Sequence, residues 1–229
     1  MPRHTGRIGF RIVTDPPRPD ATLVDRFRGL PSSLLADAMG RFHFMDPGIA
    51  ARTGGTICGV AVTVNTRPAD NLMVHKAFGL ARAGDVLVVS TNGGRAAVLG
   101  EILCRAAHAA GFAGAVVDGG VRDVEAIAGF GFPLFSRYVS AGAGHKDGPG
   151  EVNVPIACGN TVVMPGDIVV GDADGVVVVP LADAEEVLAR VDVLLTRERD
   201  RLRRVADGDL LLDEVDATLR ARGFDFEAR

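Results

Sequence analysis

The sequence predicts an α/β protein with one central strand–helix–strand unit and a long C-terminal helix. Three observations predict it. Residues 84–123 read GDVLVVS, then TNGGRAAVLGEILCRAAHAAG, then FAGAVVDGGVRD. The first and last runs are apolar and β-branched, as in strands buried on both faces. The middle is a Gly-Gly turn followed by helical Ala/Leu spacing, closed by Gly111 in the position that favours a left-handed residue. Two such strands joined by one short helical crossover run parallel and right-handed. From Leu181 onward, ADAEEVLARVDVLLTRERDRLRR sets Val187, Leu188, Val191, Leu194 and Leu195 on one face, the pattern of an amphipathic helix.

Composition narrows the class. The chain has 229 residues, 47% hydrophobic, with no Trp and one Tyr, enough for one sizeable aliphatic core. A formal net charge of −4 gives no basic field for nucleic acid. No apolar run reaches a membrane-spanning length, and no apolar segment follows the N-terminal arginines, so cytoplasm is the expected location. Cys58, Cys104 and Cys158 are odd in number and lack metal-site spacing, and read as buried thiols. Of 25 basic residues only Lys76 and Lys146 are lysines, which leaves two candidates for any Schiff-base chemistry.

In chain order, residues 1–20 carry Arg3, Arg7, Arg11 and Arg18 among prolines and read as an extended N-terminal arm, flexible or laid on a neighbouring subunit. Residues 21–229 are expected as one domain. SSLLADAMGR reads as a short helix capped by Ser32 or Ser33 and ended by Gly40. Residues 41–54 are turn-rich, Thr56 to Thr66 reads as a strand, and Asp70 to Ala83 as a helix with His75 and Lys76 on its polar face. Val124 to Ala128 is a short helix and Leu134 to Val139 a strand. AGAGHKDGPGE then reads as a mobile glycine-rich loop whose His145 and Lys146 either reach a substrate or simply face solvent. Residues 152–179 read as a β-meander in which PGDIVVGD echoes AGDVLVVS. Asp172 and Asp174 suit a tight hairpin turn better than a calcium loop, since the other calcium-loop positions are missing. Arg197 to Arg204 forms a solvated or intersubunit face.

The chemistry concentrates at one place. Loops that follow adjacent parallel strands open on the same sheet edge, so Glu101 and the pair Arg122–Asp123 should face one crevice. If the helix starts near Leu99, the amides of Gly100, Glu101, Ile102 and Leu103 are free to bind a carboxylate. If it starts near Arg95, they are used internally. Asp123 suits a hard divalent ion, Glu101 one of its waters, and Arg122 a carboxylate or oxyanion. The competing reading is a salt bridge beside an ordinary acidic first turn.

The segment GEILCRAAHAAGFAGAVVDGGVRD resembles the signature of the family that holds 4-hydroxy-4-methyl-2-oxoglutarate aldolases, 4-carboxy-4-hydroxy-2-oxoadipate aldolases and the regulator of ribonuclease activity A. Its acid, Arg-Asp spacing matches Glu101 with Arg122–Asp123, and a looser likeness extends through SSLLADAM, GDVLVV and GDADGVVVVP, covering about residues 30–205. The resemblance implies the swivelling β/β/α fold, assembled as homotrimers or homohexamers with sites at subunit contacts. It implies Asp123 as direct ligand of Mg²⁺ or Mn²⁺ and Glu101 acting through water. Arg122 would lie by the keto oxygen of a pyruvate unit, with the amides of Gly100 to Leu103 on its carboxylate. Glu198 is the match to an acid contributed by the neighbouring subunit. Relatives often have Asp where this chain has Glu101. The implied activity is metal-dependent cleavage of a 4-hydroxy-2-oxo acid to pyruvate, with oxaloacetate decarboxylation alongside. The rivals are a non-enzymatic regulator that binds a ribonuclease or helicase, another keto-acid lyase or decarboxylase, and a methyltransferase, for which no glycine-rich nucleoside loop follows a first strand.

Overall fold

A computed structural model describes residues 4–224; Arg3 of the expected arm and residues 225–229 of the expected domain lie outside them. The chain divides into two compact units, Met1–Val191 and Asp192–Arg229.

In the first unit, β1 (His4–Thr5) and β2 (Ile12–Val13) precede α1 (Ala21–Asp25), α2 (Ser32–Ala38) and β3 (Ala50–Ala51). The central run is β4 (Ile57–Thr66), α3 (Leu72–Ala77), β5 (Asp85–Ser90), β6 (Ala97–Leu99), α4 (Glu101–Ala109) and β7 (Gly114–Val121). Then come α5 (Val124–Gly129), β8 (Leu134–Val139), β9 (Gly150–Val152), β10 (Ile156–Cys158) and β11 (Thr161–Val163). A hairpin of β12 (Ile168–Asp172) and β13 (Gly175–Val179) leads into α6 (Ala184–Ala206), whose first turns bury Val187, Leu188 and Val191. The second unit holds the rest of α6 and α7 (Asp213–Ala221).

β4, β5, β7 and β8 form a parallel core in that order. Successive side chains of a strand face opposite sides, and here both sides are covered. Val62, Val64, Leu87, Val89, Ala115 and Val117 pack with Val74, Cys104 and Ile127 of the helices. Ala61, Val86, Val88 and Val116 pack instead with Ile156, Val163, Val169 and Val178 of the later strands. The result is the β/β/α layering expected of the fold, and it explains why the central strands read as unbroken apolar runs rather than alternating ones.

Several elements differ from expectation. Residues 4–13 extend one edge of the chain's main sheet, β1 pairing with β2 and β2 running parallel to β9 with Ile12 opposite Val152. Arg18 ion-pairs with buried Asp85. The helix expected over Asp70 to Ala83 ends at Ala77, since Gly79 and the following residues form turns. α2 carries no cap from its own serines; the Asp172 carboxylate accepts both the Ser32 N–H at 2.7 Å and the Ser32 hydroxyl at 2.6 Å. Asp172 thus serves a helix terminus and a hairpin turn, where it also accepts the Asp174 N–H. The two echoed segments share one turn device: Asp85 accepts the Arg82 N–H and Asp167 the Met164 N–H, each three residues back.

All three cysteines are buried and unpaired. Burial pushes the Cys58 thiol up to about 11 and Cys104 up to about 12, so neither supplies a thiolate at neutral pH. Replacement of the fully buried Leu87 by Ala should cost about 2–5 kcal/mol, read from the denaturant midpoint at unchanged slope.

Candidate active site

The site forms where two parallel strands end side by side. β6, a strand the sequence did not reveal, pairs with β7 so that Ala97 lies opposite Gly120 and Leu99 opposite Val121. The Arg122 N–H then donates to the Leu99 carbonyl at 3.0 Å, which sets Gly100–Glu101 beside Arg122–Asp123.

Glycine makes this approach possible. A Cβ at Gly119 would stand 2.4 Å from the Thr91 hydroxyl, and one at Gly120 would stand 2.2 Å from the Arg95 carbonyl. A Cβ at Gly100 would stand 2.7 Å from Asp123 Oδ2 and 3.0 Å from Arg122 Nε.

α4 begins at Glu101 with Gly100 as its cap residue, the later of the two possible starts. The first intrahelical bond runs from the Cys104 N–H to the Gly100 carbonyl, so the Ile102 and Leu103 amides have no acceptor within the helix. The Glu101 amide donates to Asp123 Oδ2 at 3.1 Å, so Asp123 caps this helix from a separate loop. Asp123 adopts a left-handed backbone, φ 58° and ψ 34°, rare for a residue with a side chain and tolerated best by Asp and Asn. Arg122 Nε lies 3.4 Å from Asp123 Oδ2. Glu101 accepts from Arg105 Nε, one turn further along its helix, at 2.8 Å, and Arg105 in turn lies over the Phe130 ring. Neither the Glu101–Arg105 pair nor the capping role of Asp123 shows in the spacing.

Glu101, Arg122 and Asp123 are thus brought together at one rim. Glu198 is exposed on α6 in the second unit. Beside Arg122 opens a cleft of about 200 Å³ whose lining includes Asn71, His75, Gly100, Ile102, Leu103 and Lys146. His75 and Lys146 are exposed, as expected of surface residues, yet both line this cleft. Partial desolvation, and then the charge of Lys146, hold the His75 pKa below its usual value.

The loop after β8, expected to be mobile, is anchored. The Ala97 N–H donates to the Gly142 carbonyl and the Gly144 N–H to the Ala97 carbonyl. The His145 N–H donates to the Ala69 carbonyl, and the Asn71 N–H to the His145 carbonyl. Fully buried Asp70 accepts the N–H groups of Leu72, Asp147 and Gly148 at 2.8–2.9 Å. Burial works against its charge, but these amides and nearby Arg67 prevail and lower its pKa.

Does the rim suit a divalent ion? Asp123 Oδ2 is occupied by the Glu101 amide, whereas Oδ1 makes no hydrogen bond among the described residues, and the side chain is 42% exposed. No group of three His, Cys, Asp or Glu side chains is arranged to hold a metal among the described residues. One free carboxylate oxygen with a second acid nearby suits Mg²⁺ or Mn²⁺, which keep water and substrate oxygens as their other ligands; it does not suit zinc or an all-protein calcium cage.

A layered α/β fold with an acid, arginine and aspartate at one helix N-terminus defines a class of small-molecule site, and comparison with known proteins names the family. The RraA-like family model, Aldolase/RraA, matches residues 21–178. The chain belongs to this family. It is 36% identical over 186 residues to a protein of Halalkalibacterium halodurans provisionally named 4-hydroxy-4-methyl-2-oxoglutarate aldolase, covering 80% of this chain and 89% of that one. A Thermus thermophilus protein named 4-hydroxy-4-methyl-2-oxoglutarate aldolase is 38% identical over 112 residues, 48% of this chain and 68% of that one. Among solved structures, a Streptomyces coelicolor protein described as an unusual member of the RNase ES inhibitor RraA family superposes with a TM-score of 0.72 at 29% identity, covering 81% of this chain and all of that one. No helix among the described residues is long and apolar enough to cross a membrane.

Asp70 gives a pH prediction. Its lowered pKa contributes stability that is present above the unfolded value, about 3.9, and is lost as pH falls through the folded value. Asp70→Asn should therefore be less stable at neutral pH and show a flatter acid limb below pH ~4, measured by urea unfolding across pH.

Proposed function

We propose that this protein is a divalent-metal-dependent carbon–carbon lyase that cleaves a 4-hydroxy-2-oxo acid such as 4-hydroxy-4-methyl-2-oxoglutarate to pyruvate, and also decarboxylates oxaloacetate. The observation that carries the reading is the convergence of the Ile102 and Leu103 amides, Arg122 and Asp123 at the joined ends of β6 and β7. The aldolase names of the relatives agree with it.

In this reading the α-carboxylate of the substrate accepts from the Ile102 and Leu103 amides, where the helix dipole favours an anion. Arg122 lies beside the keto oxygen. Asp123, with Glu101 through a water, would hold Mg²⁺ or Mn²⁺, which supplies Lewis-acid polarisation of the keto acid when bound. Glu101 receives the C4-hydroxyl proton by way of a water, the C3–C4 bond breaks, and its electron pair moves toward the keto oxygen. Arg122 stabilises the negative charge that develops there. Protonation at C3 gives pyruvate, and the other half leaves as a carbonyl compound. Decarboxylation of oxaloacetate uses the same electron flow with CO₂ as the leaving group. Neither reaction needs a Schiff-base lysine. We also propose that the protein works as a trimer or hexamer in which Glu198 of one copy approaches the site of another.

A regulatory role is the second reading, favoured by the Streptomyces coelicolor neighbour's description as a ribonuclease inhibitor family member. Pyruvate release from 4-hydroxy-2-oxo acids and from oxaloacetate, followed with Mg²⁺ and with a chelator, decides between them. Arg122→Ala should lower kcat/KM by at least about 100-fold, as loss of a charge-stabilising donor does. Asp123→Asn keeps a helix-capping side chain but weakens the proposed metal site, so it should raise the metal requirement at unchanged thermal stability. Undiminished chelator-sensitive turnover in both variants would overturn the assignment.

A further inference from the structure

We propose that the apolar pocket between the N-terminal arm and the 164–182 segment is a second ligand site, taking an apolar monocarboxylate whose acid head pairs with Arg11. The site lies apart from the Arg122 cleft and does not depend on the lyase reading.

The pocket has a volume of about 600 Å³, against about 200 Å³ for the cleft at Arg122, and the two share no lining residue. That volume falls within the roughly 300–1,000 Å³ of small-molecule sites. Val154 in its wall packs with Val169 and Val178 of the later strands, whereas Cys104 of α4 packs on the other face of the sheet. The pocket therefore lies on the side away from α4. Folded chains seldom gather so much apolar surface in one concavity unless something binds there.

Its walls are preformed. Pro16, Pro17, Pro155, Pro165 and Pro180 all line it, and each has a fixed φ. The arm is tied down along its length. The Val152 N–H donates to the Arg11 carbonyl at 3.0 Å, and Asn153 Nδ2 to the Val13 carbonyl at 2.9 Å. Arg18 forks onto both oxygens of fully buried Asp85. A Cβ at Gly166 would stand 2.1 Å from the Pro17 carbonyl, so the arm meets the facing turn only because that residue is glycine. A ligand entering such a pocket orders little of the chain.

Charge selects the head group. The lining carries two charged side chains, Arg11 and Asp167. Asp167 is committed: one oxygen accepts the Met164 N–H at 2.8 Å and the other the Leu181 N–H at 3.0 Å. Arg11 is not. Among the described residues its guanidinium donates no hydrogen bond, and its acidic neighbour Glu151 stays 3.9 Å from Nε while accepting the Gly9 N–H. The terminal nitrogens stay open to a carboxylate, which a guanidinium meets through paired hydrogen bonds. Asn153 adds an acceptor. It is 4% exposed, and since Nδ2 faces Val13, Oδ1 points elsewhere and meets no donor among the described residues. Buried polar atoms are rarely left so, and a water carried in with the acid head can donate to it.

Octanoate and octanamide are the probes, matched in shape and differing in charge. Their binding to the full chain is measured by calorimetry without added metal. The wild type should bind octanoate about tenfold more tightly than octanamide, the size of one charged hydrogen bond. Arg11→Met should weaken octanoate alone until the two match. Ala182→Trp, at an exposed lining position, should lose both probes. Thermal midpoints of these two variants should equal that of the wild type, which separates a lost contact from a lost fold. Arg122→Ala should leave both affinities as they are. Absence of octanoate binding to the wild type, a gap that survives Arg11→Met, or loss of binding in Arg122→Ala overturns the proposal. So does an affinity that falls as protein concentration rises, since a second copy of the chain would then be the occupant.

Discussion

Close backbone approach at three glycines is the constraint on which the rest of the site depends. Gly119 and Gly120 let the end of β7 lie against the segment from Thr91 to Ala96, and Gly100 lets the start of α4 lie against Arg122 and Asp123. Without that approach β6 could not pair with β7, and the Arg122 amide could not reach Leu99. The helix N-terminus would then open onto solvent rather than onto the Asp123 carboxylate. Small residues here do structural work through what they omit: each missing Cβ removes a collision with a backbone carbonyl, a hydroxyl or a charged side chain.

Capping by distant residues is the second organising device. Asp123 satisfies the first amide of α4, Asp172 satisfies Ser32 at the start of α2, and Asp70 gathers amides from α3 and from the 147–148 segment. Each carboxylate meets donors that a helix or turn leaves unpaired, so one buried or half-buried acid ties together pieces of chain far apart in sequence. At Asp70 this also fixes one wall of the cleft, which joins the charge balance of the site to the stability of the fold. At Asp123 it joins the proposed metal ligand to the geometry of the amides that would hold the substrate.

Glu101 is held within its own helix. Its side chain reaches Arg105 one turn along, and Arg105 rests on Phe130. The acid is therefore held by a pair on its own helix, while Arg122 is left beside Asp123. Each arginine thus has a carboxylate of its own, Arg105 with Glu101 and Arg122 beside Asp123.

Fold class, the central βαβ unit and the long C-terminal helix were all legible in the sequence. Strands buried on both faces must be apolar throughout, and a helix with one buried face must repeat near every 3.6 residues. The meeting of Glu101 with Arg122 and Asp123 was legible too, because parallel strands send their following loops to one edge. Strand β6 was not, since three residues are too few to show a period. Nor was the anchoring of residues 142–148: glycines read as freedom, and the bonds that remove it come from the backbone of Ala69 and Ala97 and from the Asp70 carboxylate. Local periodicity records burial, and so the sequence by itself determined the layers and the edge where chemistry collects. Long-range hydrogen bonds and the absence of a Cβ leave no periodic trace, so only the tertiary structure decided which amides are free, which acid is held by which arginine, and that Lys146 faces the cleft.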